Sequence, residues 1–268
     1  MDAAAEPTLD DVRAFWDRRP CNVKHSPKLV GTKEYFDEVD QRRYFVEPHI
    51  LHFMEAEKWR GKKVLEVGCG IGTDTSVLAK AGAKVTGTEL SQASLDIAKQ
   101  RFAVSGLTVQ FYLANGEEMS RVVPVEPYDL VYSFGVIHHS PHPEKIITEI
   151  EKYMTPQSEL RIMLYAKYSW KSLMIFLGFD QPEAQYGCPI ANTYSKREAR
   201  ELLKDFEIIS IKKDHIFPYR ISEYKEYRYV KKFPWNIMPS TLFSLIKRWW
   251  GWHLLITARL KPDVSQAG

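Results

Sequence analysis

The chain has 268 residues, of which 44% are hydrophobic and 26% are charged, and its formal net charge is +3. Length and composition predict one large soluble globular domain, either alone or with additions at its edges. The weak positive charge gives no support for nucleic-acid binding, so no nucleic-acid partner is expected.

Cysteine usage and the chain ends bear on the cellular compartment. The three cysteines, Cys21, Cys69 and Cys188, are odd in number and widely scattered, which argues against a disulfide framework and for a reducing environment. Residues 1–6 contain no basic region followed by an apolar core, so no secretory signal peptide is expected. The longest uncharged stretch of the C-terminal third, 233–246, contains two prolines and is shorter than the about 20 residues of a membrane span. The expected localisation is therefore cytoplasmic.

The N-terminal segment combines helical patterning with many aromatic side chains, and Pro20, Pro27 and Gly31 break it into at least two pieces. We predict an N-terminal helical cap over residues 1–59. Two of its aromatic residues, Tyr35 and Tyr44, are candidates for contact with the substrate. The alternative is that these rings pack the helices against the sheet.

From Lys63 onwards, apolar runs alternate with helical patterns, which predicts an α/β fold with a mostly parallel, doubly wound sheet. The predicted strands are 64–67, 84–88, 108–113, 128–133, 159–165, 206–213 and 252–260. The predicted helices between them are 73–80, 91–106, 143–153 and 195–204. Two insertions, 168–193 and 216–251, do not fit this repeating unit. A ligand is expected at the carboxyl ends of the strands.

The first predicted strand ends in glycines at alternate positions, Gly68, Gly70 and Gly72, followed by a helix. This pattern is typical of a loop that lies against an adenosine-type cofactor, because glycine lets the backbone approach a ligand closely. A dinucleotide fingerprint places its third glycine where this chain has Thr73, so a pyrophosphate site is the poorer interpretation. Glu89 ends the next strand, where a carboxylate can accept hydrogen bonds from ribose hydroxyls.

Four segments in order, 64–74, 86–91, 114–118 and 128–139, make residues 60–165 resemble the core of class I S-adenosylmethionine-dependent methyltransferases. The resemblance is to the broad branch of small-molecule and quinone-type methylases. It implies a Rossmann-like seven-stranded sheet whose last strand is antiparallel. It also implies S-adenosylmethionine as cofactor and S-adenosylhomocysteine as product.

The resemblance also implies which residues surround the cofactor. Those at its methionine end and along the glycine loop are Glu66, Gly68, Gly70, Gly72, Thr73 and Asp74. Those at the ribose, at the adenine and after strand four are Glu89, Leu90, Asn115, Gly116, Ser133 and Phe134. Many relatives have Asp where this chain has Asn115, but an amide carbonyl can also accept a bond from the adenine amine.

Two adjacent histidines, His138 and His139, follow the fourth predicted strand and are candidate general bases, since an unperturbed imidazole titrates near pH ~6.5. The alternative is that they position the loop. His142 extends the run, but its spacing from the pair matches no standard ligand pattern, and no metal site is expected.

The second insertion is rich in aromatic and basic residues. Three interpretations stay open: a lid over an apolar or aromatic acceptor, a peripheral membrane contact through 233–252, and internal packing or a subunit contact.

We predict methyl transfer to an oxygen, nitrogen or carbon atom of a small apolar or aromatic metabolite. The alternatives are a nicotinamide-dependent oxidoreductase and a non-catalytic cofactor-binding scaffold. The sequence leaves the oligomeric state open.

Overall fold

The computed structural model describes residues 6–178 and 187–262. The two chain ends and residues 179–186 lie outside this range. The first residues of the predicted cap, the middle of the predicted insertion at 168–193 and the last residues of the predicted domain are therefore not covered.

Helices and strands alternate through most of the described chain. The helices are α1 (Leu9–Arg18), α2 (Lys33–Val46), α3 (His49–Met54), α4 (Thr73–Lys80), α5 (Gln92–Ser105), α6 (Pro143–Glu151), α7 (Trp170–Phe176), α8 (Lys196–Leu202), α9 (Ile221–Lys225) and α10 (Ser240–Trp250). The strands are β1 (Lys63–Val67), β2 (Lys84–Glu89), β3 (Gln110–Leu113), β4 (Leu130–Phe134), β5 (Glu159–Ala166), β6 (Thr193–Tyr194), β7 (Phe206–Asp214) and β8 (His253–Leu260).

The strands form one sheet in the order β3-β2-β1-β4-β5-β8-β7. Strands β1 to β5 are parallel to their neighbours, whereas β8 runs antiparallel to both β5 and β7. The predicted doubly wound sheet of seven strands with an antiparallel last strand is confirmed. The difference is β6, a two-residue strand that pairs with the end of β5 and is too short to give a periodic pattern.

The sheet is the centre of the hydrophobic core. All eight residues of β5 are buried, as expected for a strand that is covered by helices on both faces. One large apolar cluster contains residues of β4, β5, α6 and β8, and a second one joins β1 and β2 to helix α3. The strands therefore hold their carboxyl ends, and whatever side chains follow them, in fixed positions.

Hydrogen bonds fix the helix ends that lie near the carboxyl edge of the sheet. The Ser91 hydroxyl accepts a bond from the Ser94 N–H (3.1 Å) and so caps α5. The same hydroxyl donates to Asp17 Oδ1 at 2.8 Å, which attaches the end of α1 to the start of α5. Helix α1 consequently lies beside the carboxyl edge of the sheet.

The two insertions contribute helices α7, α9 and α10. Helix α10 packs along β7, and Lys247 Nζ lies 3.0 Å from Asp214 Oδ1. Its C-terminal rings are not covered by this packing, since Trp249 is 70% exposed. The insertion therefore builds an outer layer with an exposed apolar face.

Candidate active site

A cleft opens at the carboxyl ends of β1, β2 and β4. Its empty space measures about 1020 Å³ including its open mouth, a size that suits a small-molecule ligand. Of the residues predicted from the sequence, those that line the cleft are Glu66, Gly68, Gly70, Thr73, Asp74, Glu89, Leu90, Asn115, Gly116, Phe134 and His139. Those that do not line it are Gly72, Ser133, His138, Tyr35 and Tyr44. What each residue does for a ligand stays a prediction.

The glycine loop brings the backbone to the floor of the cleft. Gly68 has a φ of +78°, and a Cβ there would lie 2.2 Å from the Val136 side chain, so no larger residue fits. Gly70 has a φ of +54°, and a Cβ there would meet no atom within 4 Å. Gly72 packs on α5 instead, because a Cβ there would lie 3.2 Å from Phe102. Gly70 is thus the glycine of this loop whose missing side chain leaves space open to a ligand.

Glu89 braces the glycine loop and faces the cleft. Its Oε2 accepts a bond from the Gly70 N–H and its Oε1 accepts one from the Ser91 N–H, both at 2.8 Å. Burial raises the pKa of Glu89, and the bonds from Ser91 and Gly70 oppose that shift. A carboxylate has about four lone-pair positions, more than these backbone donors occupy, so Glu89 can also accept a bond from a ligand hydroxyl.

Asn115 and Gly116 line the cleft just after β3. The Asn115 Oδ1 accepts a bond from the Glu117 N–H at 3.0 Å, which fixes the orientation of the amide. Its NH2 group is then oriented as a donor, and Oδ1 keeps a second lone pair. A Cβ at Gly116 would lie 3.3 Å from Ile146, so the backbone here is tightly packed.

The start of α4 places two side chains in the cleft wall that also bond to other elements. Asp74 accepts bonds from Tyr44 (2.9 Å), Tyr132 (3.1 Å) and Arg43 (3.2 Å). Thr73 Oγ1 accepts one from Arg101 at 3.2 Å. The hydrogen bonds of these two side chains therefore connect α2, α4 and α5.

Glu66, at the end of β1, is almost fully buried in the cleft wall. Its Oε2 accepts a bond from the Thr75 hydroxyl at 2.5 Å. Burial raises the pKa of Glu66 well above its usual value, and the nearby Asp74 carboxylate adds to the shift. The surroundings of Glu66 therefore favour the neutral carboxyl over the carboxylate.

The residues after β4 divide between the cleft and the core. Phe134 lines the cleft, whereas Ser133 points away from it and donates its hydroxyl proton to the Val67 carbonyl at 2.9 Å. His138 is fully buried, with its ring centroid 3.6 Å from that of Tyr165. Burial lowers the pKa of His138 well below its usual value. The structure therefore places Ser133 and His138 behind the cleft.

His139 is the histidine of the pair that reaches the cleft. Its Nδ1 lies 2.6 Å from the Ile190 carbonyl oxygen and 3.3 Å from Cys188 Sγ. Burial lowers the pKa of His139 to about 4, and the bond to Ile190 opposes the shift. The ring is therefore uncharged at neutral pH.

The two tyrosines predicted to contact substrate lie outside the cleft lining. Tyr35 is fully buried and donates its hydroxyl proton to the Val23 carbonyl at 2.9 Å. Tyr44 donates to Asp74 and packs against the cluster beneath β1. The structure thus places both rings where the packing alternative expected them.

Several lining residues were not predicted from the sequence. Helix α1 contributes Leu9, Val12 and Trp16 to the cleft, and α2 contributes Arg43. The spacing i, i+3, i+7 of the first three is a helical face and could have indicated them. The Trp16 and His139 ring centroids are 5.3 Å apart in an edge-to-face arrangement, so helix α1 closes the cleft over the histidine.

Comparison with known proteins identifies the family. Residues 58–206, more than half of the chain, match the protein-family model described as "Methyltransferase domain". The chain belongs to the class I S-adenosylmethionine-dependent methyltransferases. The predicted enzyme class, an S-adenosylmethionine-dependent methyltransferase, and the predicted cofactor are confirmed, against the oxidoreductase alternative.

Curated relatives and solved structures agree with this methyltransferase assignment. The chain is 34% identical over 100 residues to a ubiquinone biosynthesis O-methyltransferase of Pseudomonas savastanoi pv. phaseolicola, covering 37% of this chain and 43% of that protein. A protein of the same name from Haemophilus ducreyi is 34% identical over 123 residues, 45% of this chain and 52% of the relative. The chain thus spans about half the length of the curated relatives that it matches.

Among solved structures, the magnesium protoporphyrin IX methyltransferase of Synechocystis superposes with a TM-score of 0.60 at 16% identity. The match covers 93% of this chain and 98% of that one. The [4+2]-cyclase SpnF gives a TM-score of 0.60 at 17% identity, covering 97% and 98%. At these identities the likeness shows the fold.

The residues of the methyltransferase cleft fit its cofactor. The open space over Gly70 is the kind of cradle that a Cβ would fill. Glu89 can accept a bond from a ribose hydroxyl, and the side chains of Leu90 and Ile146 give the cleft apolar surface against which a base could pack. Within residues 6–178 and 187–262, no helix combines the length and the apolarity of a membrane span.

Proposed function

We propose that this methyltransferase transfers the methyl group to a hydroxyl oxygen of a small apolar or aromatic molecule. The observation that supports this proposal most directly is that the aromatic rings of Trp16 and Phe134 line the same cleft as the uncharged imidazole of His139. The similarity to ubiquinone biosynthesis O-methyltransferases supports oxygen over nitrogen or carbon as the acceptor atom.

His139 is suited to accept the proton of such a hydroxyl. A carbonyl oxygen only accepts hydrogen bonds, so the 2.6 Å contact with Ile190 places the ring proton on Nδ1. Nε2 then carries the lone pair that a general base needs. Because burial keeps the pKa of His139 near about 4, this lone pair is available throughout the neutral range.

Bound S-adenosylmethionine supplies a methyl group that its sulfonium charge already activates, leaving S-adenosylhomocysteine. The chain's own residues bind and orient the reactants and exclude water. We propose that the residues holding the cofactor are Glu66, Gly68, Gly70, Thr73, Asp74, Glu89, Leu90, Asn115, Gly116 and Phe134. Gly72, Ser133, His138, Tyr35 and Tyr44 lie outside the cleft lining, and we assign them to its support.

We also propose that residues 1–59 act as a cap on a methyltransferase domain that comprises residues 60–268. The support for this division is that Leu9, Val12 and Trp16 cover the cleft while their helix is attached to α5 through Asp17 and Ser91.

A methyl-transfer assay with labelled cofactor tests the acceptor class. Three matched acceptors are compared: a catechol with an alkyl tail, the same ring and tail with amines replacing the hydroxyls, and the catechol without its tail. We expect transfer to the tailed catechol, and at least about a tenfold loss of turnover in His139→Gln. His142→Gln, an exposed histidine of the same loop, is the matched control and should keep full turnover.

The other outcomes of this assay are equally informative. Transfer to the amine alone would overturn the oxygen assignment, and equal rates for both catechols would overturn the apolar acceptor. Full turnover in His139→Gln would remove this residue as the base.

We further propose that the segment 233–252 contacts the surface of an anionic membrane, where an apolar acceptor would be concentrated. The exposed apolar side chains in and beside this segment are Ile175, Phe176, Leu177, Phe233, Ile237, Leu242, Leu245, Trp249 and Trp250. Residues 227–250 contain five basic residues and no acidic one. Apolar rings together with basic side chains are the combination that favours binding at a lipid interface.

Vesicle co-flotation tests the membrane contact. The wild-type chain should float with vesicles that contain anionic phosphatidylglycerol, and it should not float with neutral phosphatidylcholine vesicles. Trp249→Ser should reduce flotation, whereas Leu29→Ser, at an apolar side chain that is 78% exposed in the N-terminal segment, should not. Equal flotation of the two variants would contradict the assignment of this face.

A further inference from the structure

A cluster of three histidines and one glutamate lies beside the cleft, and the proposed methyl transfer does not use it. Glu47 follows α2, His49 begins α3, His215 follows β7 and His253 begins β8. All three imidazoles are buried, with exposed fractions of 6%, 3% and 3% in that order. Two N-terminal helices and the antiparallel strands β7 and β8 therefore meet at one set of side chains.

The ligand atoms of this cluster are close together. His49 Nε2 lies 2.8 Å from His253 Nδ1, and Glu47 Oε1 lies 3.7 Å from His253 Nε2. One ligand atom from each of these three residues lies within 4.8 Å of the others. One ion can bind only one nitrogen of the His253 ring, so it would replace the contact between the His49 and His253 rings. Two ligands about 2.0–2.1 Å from a tetrahedral zinc ion are about 3.3 Å apart, a separation that falls within the spread of these three ligand atoms.

His215 packs directly beside these three residues. Its Nε2 lies 3.9 Å from Glu47 Oε1, and its ring stacks on that of His253 with centroids 4.6 Å apart. The backbone of His215 has a φ of +68°. A non-glycine residue in this conformation costs energy, and such residues cluster at sites where a side chain must be aimed.

We propose that Glu47, His49 and His253 form a binding site for one divalent transition-metal ion, with His215 packed beside it and zinc as the ion to test first. Imidazole nitrogens with one carboxylate suit zinc, iron, cobalt and nickel rather than magnesium or calcium. The sequence indicated no metal site because Glu47 and His49 lie about 200 residues before His253 and the set follows no standard ligand spacing. The proposal does not depend on the acceptor proposed above.

The ion would fasten the N-terminal helices to the strands that border the second insertion. Glu47 Oε2 lies 3.9 Å from Arg43, which lines the cleft, and the Phe134 ring centroid is 5.4 Å from that of His253. The site is thus one residue layer away from the cleft. Its role is to hold the cleft wall in place.

Zinc titration of the full chain, after treatment with a chelator, tests the site. We expect one equivalent to bind, and an excess of zinc about 100-fold above the dissociation constant to raise Tm by about 5–10 °C. His49→Gln and His253→Gln should each weaken binding by at least about 100-fold. His52→Gln, an exposed histidine one turn further along α3, is the matched control and should bind as the wild type does.

A cobalt spectrum of the wild-type chain keeps the proposal testable even if a variant fails to fold. Coordination by imidazole and carboxylate gives visible bands without the near-ultraviolet charge-transfer band of a thiolate. A thiolate band would assign the ion to Cys188 and His139, whose Sγ and Nδ1 atoms are 3.3 Å apart, and would overturn the proposal. Less than one equivalent bound, no rise in Tm, or equal losses in His49→Gln and His52→Gln would also overturn it.

Discussion

Arg43 and Asp74 form a two-point ion pair that joins the N-terminal helices to the glycine-loop helix. Arg43 Nε donates to Asp74 Oδ1 at 3.2 Å and Nη2 donates to Oδ2 at 3.3 Å. Both side chains line the cleft, and both are largely shielded from solvent, with 11% and 4% exposed. The pair thus makes the shape of the cleft depend on the docking of α2.

Removing one partner of this pair should destabilise the protein strongly. We expect Arg43→Met to lower the free energy of unfolding by about 3–5 kcal/mol, because it leaves a buried carboxylate without its counter-charge. Urea unfolding measures this, and the double variant with Asp74→Asn should recover part of the loss. Lys33→Ala, at the exposed pair with Asp37 on the same helix, should leave unfolding unchanged. An Arg43→Met variant as stable as the wild type would show that the pair is not needed.

A side chain at Gly70 should block the cofactor. Gly70 and Gly106 have similar φ values, +54° and +66°, and a Cβ at either would meet no atom within 4 Å. Gly70→Val and Gly106→Val should therefore lose similar stability, about 1–3 kcal/mol each. Isothermal titration should show cofactor binding abolished in Gly70→Val and retained in Gly106→Val. Equal affinities in the two variants would refute the position of the loop against the cofactor.

Glu89 should contribute to affinity through the ribose hydroxyls. We expect Glu89→Gln to weaken binding of S-adenosylmethionine by about 1.5–3 kcal/mol, since hydrogen bonds to a charged group are worth about that much. A cofactor analogue without ribose hydroxyls should bind the wild type as weakly as the variant binds the normal cofactor. If the variant still discriminates fully between the two ligands, another group holds the ribose.

The activity should stay constant on the acid side of neutral pH. Burial lowers the pKa of His139 to about 4, so the unprotonated base persists well below the usual imidazole value of about 6.5. The pH profile of kcat/KM should therefore show no acid limb between about pH 5 and 7. A limb near about 6.5 would show that a different, solvated histidine is the base.

Stability should depend on pH through the buried histidines. Burial lowers the folded-state pKa of His138 well below its ordinary value, so the unfolded chain binds a proton below about pH 6.5 that the folded chain does not. This contribution lowers stability as pH falls, by up to about 1.4 kcal/mol per pH unit. Glu66 and Glu89, with raised pKa values, act in the opposite direction.

The histidine contribution is therefore measured as a difference between variants. Free energies of unfolding between pH 5 and 8 should fall less steeply with acidification in His138→Gln than in the wild type. The exposed-site variant His52→Gln should run parallel to the wild type. Parallel curves for His138→Gln as well would show that His138 is not held neutral in the folded protein.

Local patterns were sufficient for most of the fold. The helix predicted at 73–80 has those bounds, and the strand predicted at 206–213 is one residue longer. Alternation of strands and helices restricts the sheet to a parallel, doubly wound order, because crossovers are right-handed and neighbours in sequence pair. Strand β6 could not be predicted, since two residues show no period.

The candidate site, like the fold, could be predicted from the sequence only in part. The sequence by itself determined the glycine loop, Glu89 and the pair of histidines, because turn chemistry and spacing along one strand-to-helix unit are local properties. The tertiary structure alone decided that His139 rather than His138 faces the cleft, and that Trp16 rather than Tyr35 covers it. It alone brought Glu47, His49 and His253 together. Such choices depend on how distant elements cross and pack, and no local pattern in the chain carries that information.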